Sequence, residues 1–237
     1  MTSPDSPARW KPLEPNQRRV LGVLIEKAMT TPAGYPMTVN AIVTGCNQKN
    51  NRDPITTLDD IDVGNALVEL GELGVVEEID WMGRANKYKH KAYDWLGVNK
   101  AELAVMGELL LRGAQQLGEL RARADRMEAI ADLAALKPVV EGLVRRGLVI
   151  ELTPPGRGQL VTHGLGLPGE RQEAAALAAG AAMRSDEPHA APRAAAHDAG
   201  ELAALRAEVA HLGERVARLE TLLGAHGGDS PAPGERA

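Results

Sequence analysis

A pattern met twice constrains this chain most. LGVVEEI at 73–79 and RGLVIEL at 146–152 each set a glycine just past a long helical stripe and just ahead of an apolar strand. The same order of elements can be read around each copy, so the chain is expected to be a tandem repeat of one supersecondary unit. In the first copy, Glu14 to Thr30 spaces Val20, Leu21, Leu24, Ile25 and Ala28 as one face of an amphipathic helix. Pro12 and Pro15 stand at its start, where proline is tolerated, and Pro32, Gly34 and Pro36 end it. Thr38 to Thr44 predicts a short helix with Thr38 as its N-cap. A polar loop, CNQKNNRDPITT, follows. Asp59 to Leu73 is a third helix on a stripe of Ile61, Leu67, Leu70 and Leu73, with Gly74 at its C-cap. Val75–Asp80 and Asn86–Lys91, around a turn holding Gly83, predict a β-hairpin. Three helices and then a hairpin are the winged-helix variant of the helix-turn-helix.

The second copy runs through helices at Asn99–Gly113, Gln116–Arg123 and Ile130–Arg146, then strands at Leu148–Leu152 and Gln159–His163 around the tip TPPGRG. An interior proline starts or kinks a helix. Pro138 therefore places the start of the third helix near Lys137, with 127–136 as a preceding turn or short helix.

Beyond the repeat the chain changes character. PHAAPRAAAHDAG at 188–200 has no periodic apolar face and reads as linker. From Glu201, Leu202, Leu205, Val209, Leu212, Val216, Leu219 and Leu223 alternate at steps of three and four, a heptad seam. Glu201 and Arg215 on one strand would face Arg206 and Glu220 on a partner, which suits a parallel dimer. A single amphipathic helix folded back on the globular part is the alternative. The expected fold is mainly α with small β-hairpins (α+β): tandem winged-helix domains followed by a C-terminal helix or coiled coil. The expected boundaries are a disordered N-terminus at 1–12, winged-helix domains at 13–97 and 98–167, an Ala-rich linker at 168–200, a coiled-coil helix at 201–224 and a disordered tail at 225–237.

Composition narrows the function. The formal charge is −5, which argues against a sequence-blind nucleic-acid coat while leaving room for a local basic patch. Cys46 is the only cysteine, so an internal disulfide and a cysteine-based metal site are excluded, and a reducing cytoplasm is expected. No apolar run approaches the ~20 residues of a membrane span, and the N-terminus has no apolar signal core. No histidine pair stands at metal-ligand spacing on one helix, and Gly156-Arg157-Gly158 is a hairpin tip with no phosphate-loop lysine after it. No catalytic residues, metal or cofactor are expected.

Two segments are candidates for recognition. The loop Asn47, Gln48, Lys49, Asn50, Asn51, Arg52 is dense in donors that could meet phosphates or base edges, although Asn and Asp are also ordinary turn residues. The first hairpin carries Arg84, Lys87, Lys89 and Lys91, interleaved with Tyr88 and Tyr93. Such a wing can grip a phosphate backbone, or its lysines can simply protect a sheet edge. Against DNA stand Asp59, Asp60 and Asp62 in the first turns of the helix that would enter a groove.

The segment LEPNQRRVLGVLIEKAMTTPAGYPMTVNAIVTGCNQKNNRDP, with ALVELGELGVV and GRANKYKHK after it, resembles the YceH family of bacterial proteins, over about Leu13 to Leu165. The resemblance implies a tandem winged-helix architecture, and implies DNA binding only by analogy of fold. The expected protein is a dimeric binder of double-stranded DNA and a possible regulator. The alternative is a protein-interaction scaffold like the accessory subunits of bacterial chromosome-condensing complexes.

Overall fold

The structure is a computed structural model, and it describes residues 10–81, 84–174 and 176. The heptad seam at 201–224, most of the linker, the tail and the tip of the first hairpin at 82–83 lie outside the described residues. The chain is mixed α+β, and helices, strands and turns follow in the expected order. Helix α1 (Pro15–Thr30) leads through a 3-10 turn at Pro32–Gly34 to α2 (Val39–Cys46), the polar loop and α3 (Asp60–Glu72). Thr38 caps α2 through Ala41 N, and Asp59 caps α3 through the backbone N–H groups of Ile61 and Asp62. Strands β1 (Val76–Trp81) and β2 (Arg84–His90) pair antiparallel, with Val76 opposite His90 and Ile79 opposite Lys87. A short helix α4 (Ala92–Leu96), which the sequence reading did not anticipate, connects the blocks.

The second block repeats this order in α5 (Lys100–Arg112), β3 (Gln115–Gln116), α6 (Leu117–Ala124), α7 (Leu133–Arg145), β4 (Val149–Glu151) and β5 (Leu160–His163). Strand β3 is an addition to the expected elements. It pairs with β5 and completes a three-stranded antiparallel sheet in the order β3-β5-β4. Block one holds the same feature in reduced form: Met37, just ahead of α2, exchanges two backbone hydrogen bonds with Tyr88 at 3.1 and 2.8 Å.

Two expectations are corrected. Helix α7 does not start near Lys137. It starts at Leu133, because Asp132 caps it through Ala135 N at 2.8 Å, and Pro138 sits inside. A proline this close to the helix start removes a single bond, from its own missing N–H to Ala134 O. Ile61 does not belong to the buried stripe of α3. It is 71% exposed, and the inward face is Val63, Ala66, Leu67 and Leu70.

The first helices of the two blocks pack against each other. α5 is buried on all sides from Leu103 to Leu111, a run that is apolar around its circumference except for Glu108. Close approach depends on one glycine in each helix. A Cβ at Gly22 would lie 3.0 Å from Leu111 Cγ, and a Cβ at Gly107 would lie 2.8 Å from Ile25 Cγ2. VLGVLI at 20–25 and VMGELL at 105–110 align at these glycines, so the contact is near-reciprocal, each glycine receiving a branched side chain from its counterpart. The buried apolar side chains of both blocks form one continuous cluster. After β5 the chain returns to α1: Leu13 N donates to Leu165 O at 2.9 Å, and Arg18 holds Glu170 through two bonds of 2.5 and 2.7 Å.

Two half-buried imidazoles make this unit acid-sensitive. Burial pushes His90 down to about 4, and burial together with the Arg18 charge pushes His163 down to about 4. Unfolded, each ring takes up a proton as pH falls through about 6.5. The unfolded chain then binds more protons between 6.5 and 4, so stability drops across that window. The expected loss is on the order of 1 kcal/mol per histidine after allowance for solvent screening. Urea midpoints at neutral and mildly acid pH check this, and His163→Gln should flatten the dependence. An unchanged slope in that variant would remove His163 from the account.

Candidate functional site

The polar loop is built into the junction between the blocks. Asn47 accepts Leu58 N and Thr56 Oγ1 on Oδ1 (2.8 and 3.2 Å) and donates from Nδ2 to Leu58 O at 2.7 Å, which closes the loop on itself. Asn51 takes the left-handed conformation, φ 61°, that asparagine tolerates better than most residues. Its Oδ1 accepts from Arg112 of α5 at 2.7 Å. Arg52 turns inward, with only 4% of its surface exposed. It donates to Gly45 O (2.9 Å), Asn51 O (2.7 Å), Gln48 Oε1 (3.0 Å) and Glu26 Oε2 (2.5 Å).

Glu26 of α1 is the hub of a buried charge network. It also binds Arg126, whose other guanidinium nitrogen reaches Glu108 of α5 at 2.9 Å. Arg112 Nε lies 3.0 Å from Glu108 Oε1, an ion pair by proximity without a well-aligned hydrogen bond. Arg19 donates to Leu111 O at 2.9 Å and Pro54 O at 2.5 Å. Burial alone would raise the Glu26 pKa, but Arg52 and Arg126 outweigh it and hold the carboxyl below the ordinary range. The loop, α1, α5 and the turn after α6 are thereby held together by charge-assisted hydrogen bonds.

This corrects the first candidate site. Arg52 cannot reach a phosphate, because its guanidinium is spent on Glu26 and three further acceptors. Asn47 is committed as a loop brace through both its side-chain oxygen and nitrogen, and Gln48 and Asn51 spend their oxygens on Arg52 and Arg112. Of the six loop residues, Lys49, Asn50 and Asn51 are exposed.

The wing is less basic than its lysines suggest. Glu77 on β1 binds Lys89 at 3.3 Å and Lys91 at 2.9 Å. These exposed ion pairs hold the Glu77 carboxyl below its ordinary range. Lys87 lies opposite Ile79 and Arg84 opposite Trp81, at the two ends of an irregular stretch of register. With Glu77, Glu78 and Asp80 on the facing strand, the hairpin sets three acids against Arg84, Lys87, Lys89 and Lys91.

A surface that sequence reasoning passed over is the outer face of α3. Ile61 is 71% exposed and Val68, two turns on, is 64% exposed; Ile55 in the preceding loop is 62% exposed. Residues 59–72 contain Asp59, Asp60, Asp62, Glu69 and Glu72 and no lysine or arginine. Between α3 and the start of α1 lies an open cleft of about 370 Å³ whose walls include Glu14, Asp62, Asn65 and Glu69. The signal available in the sequence was Ile61 and Val68 falling outside the period set by Val63, Leu67 and Leu70. Among the described residues, no three His, Cys, Asp or Glu side chains are grouped so as to hold a metal ion, and no helix is long and apolar enough to cross a membrane.

The chain matches the family described as "Protein of unknown function, DUF480" over residues 13–157. It is similar to a UPF0502 protein of Rhodopirellula baltica, 52% identical over 161 residues, 68% of each chain. It is also similar to UPF0502 proteins of Geobacter sulfurreducens (47% over 137 residues, 58% of this chain and 60% of the relative) and Geobacter metallireducens (41% over 203 residues, 85% and 84%).

Proposed function

The chain belongs to the DUF480 family, as its resemblance to the YceH proteins implied, and from that premise we propose that it is a non-catalytic protein-interaction module rather than a DNA reader. The observation that carries this reading is the outer face of α3, where Ile55, Ile61 and Val68 are exposed among carboxylates. Isolated surface apolar residues need no explanation, but two on one helix face at a seven-residue spacing form the anchor pattern of helix-in-groove recognition. A phosphate backbone approaching α3 would meet five carboxylates and no cation. The chemistry that fits is a basic, amphipathic segment of a partner protein, its apolar side chains on Ile61 and Val68 and its lysines or arginines toward Glu14, Asp62 and Glu69. Self-association through the heptad seam at 201–224 and a cytoplasmic setting are parts of the same proposal.

The test uses two probes on the full chain. One is a fluorescent peptide of about 18 residues with a leucine stripe on a lysine background. The other is a mixed-sequence duplex, titrated at about 50 and 200 mM salt. The peptide is expected to bind, and Ile61→Ser with Val68→Ser is expected to weaken it about tenfold or more. A peptide of the same composition with its stripe scrambled should bind weakly. Duplex binding with a steep salt dependence, or peptide binding indifferent to both substitutions, would overturn the reading.

A further inference from the structure

We propose that the cleft between loop residues 48–51 and the end of α1 binds a small oligophosphate anion. The cleft measures about 420 Å³ and is walled by Lys27, Gln48, Lys49, Asn50, Asn51 and Arg126, with Glu26 at its base and Thr30 at its rim. Its walls include three exposed loop residues, and two of them, Lys49 and Asn50, make no contact among the described residues that braces the fold. This inference is independent of the reading of α3.

Three observations support an anion. The network under the cleft sets four guanidinium groups, of Arg19, Arg52, Arg112 and Arg126, against Glu26, Glu108 and Asp53, and the cleft wall adds Lys27 and Lys49. That is a local positive excess in a chain of net charge −5. The Glu26 carboxylate that would otherwise repel an anion is already held between Arg52 and Arg126. Finally, the negative pole at the C-terminus of α1 is offset in part, since Thr31 N donates to Lys27 O at 2.9 Å and the Lys27 side chain stands in that last turn.

The walls also say what part of a ligand is read. Every lining side chain is polar or charged, and none is aromatic. A base would find nothing to stack on, so the site takes the phosphates and leaves any nucleoside outside. Lysine ammonium groups and side-chain amides are the donors such an anion needs, while Arg126, ion-paired to Glu26 and Glu108, contributes positive charge to the wall.

Calorimetric titration of the full chain with sodium pyrophosphate, at an ionic strength of about 20 mM, tests the proposal. Saturable binding is expected. Lys49→Gln should weaken it about tenfold, Lys27→Gln with Lys49→Gln should abolish it, and Lys137→Gln, on α7, should leave it unchanged. Lys49 braces nothing, so that variant should fold normally, which far-UV circular dichroism confirms. Parallel titrations with tripolyphosphate and ATP separate the sources: similar affinities support recognition of the phosphates alone. Much tighter ATP binding would move recognition to the nucleoside and overturn the proposal. So would absence of pyrophosphate binding, indifference to both lysine substitutions, or a duplex that displaces pyrophosphate and depends on Lys49.

Discussion

Glu26→Ala is expected to destabilise the chain by about 3–5 kcal/mol, the range measured when one partner of a buried ion pair is removed. The side chains of Glu26 and Arg52 are 2% and 0% exposed, so neither charge can turn to water when the other is deleted. Arg126 would lose a partner in the same step. Arg126 would keep only Glu108, and Arg52 would keep only uncharged acceptors. With total stabilities of about 5–15 kcal/mol typical of folded domains, the loss would consume much of the margin. Urea denaturation gives the value. The double replacement Glu26→Leu with Arg52→Met should cost less than the two single changes added together, because it removes the charges in pairs. A loss below about 1 kcal/mol for Glu26→Ala would mean that water reaches the network and that the loop is not fastened through it.

The second large effect is expected at Gly164. A Cβ there would lie 2.0 Å from the carbonyl oxygen of Gly147 and 3.0 Å from its carbon. Those atoms are backbone, and they are fixed from two sides. Gly147 follows the α7 C-cap at φ +71°, and Gly164 N donates to Leu148 O at 2.7 Å just beyond the paired residues of β4 and β5. The clash cannot be relieved by a side-chain rotation. Gly164→Ala should therefore cost about 3 kcal/mol or more, through loss of the strand pairing or displacement of the turn after α7. Gly107→Ala meets side-chain atoms, the Cγ2 methyl of Ile25 at 2.8 Å first, which a small shift of the packed helices can move, and should cost less, about 1–3 kcal/mol. Thermal melts of the two variants side by side give the order, and an equal or reversed order would show that the β4–β5 end of the second block yields more readily than the helix crossing.

The elements were legible because they rest on local signals. The periodicities of α1, α3 and α5, the cap at Thr38, and Gly74 behind α3 are all written within a few residues of where they act. Strand β3 was not legible: two residues, Gln115 and Gln116, cannot show an alternation. Helix α7 began early because a cap at Asp132 decided the start more strongly than Pro138. The candidate site was the least legible part. Arg52 looked like an exposed donor in a polar loop, and nothing adjacent indicated that it turns inward. Its partner Glu26 stands 26 residues upstream, and Arg126, which shares that carboxylate, lies 100 residues from Glu26. The acidic character of α3 was readable in advance. The exposure of Ile61 was readable only if the period was taken from Val63, Leu67 and Leu70; a stripe drawn through Ile61 was off by the angle that separates a helix's inner face from its flank.

The near-reciprocal crossing of α1 and α5 resembles the contact two identical subunits make across a two-fold axis, yet both helices belong to one chain. A contact between separate subunits weakens on dilution, and its occupancy follows protein concentration. Here the partner helix is always present at the effective concentration set by the connecting chain. The charge network around Glu26 and the surfaces beside it are therefore assembled in a single molecule, and they persist at any copy number at which the protein occurs.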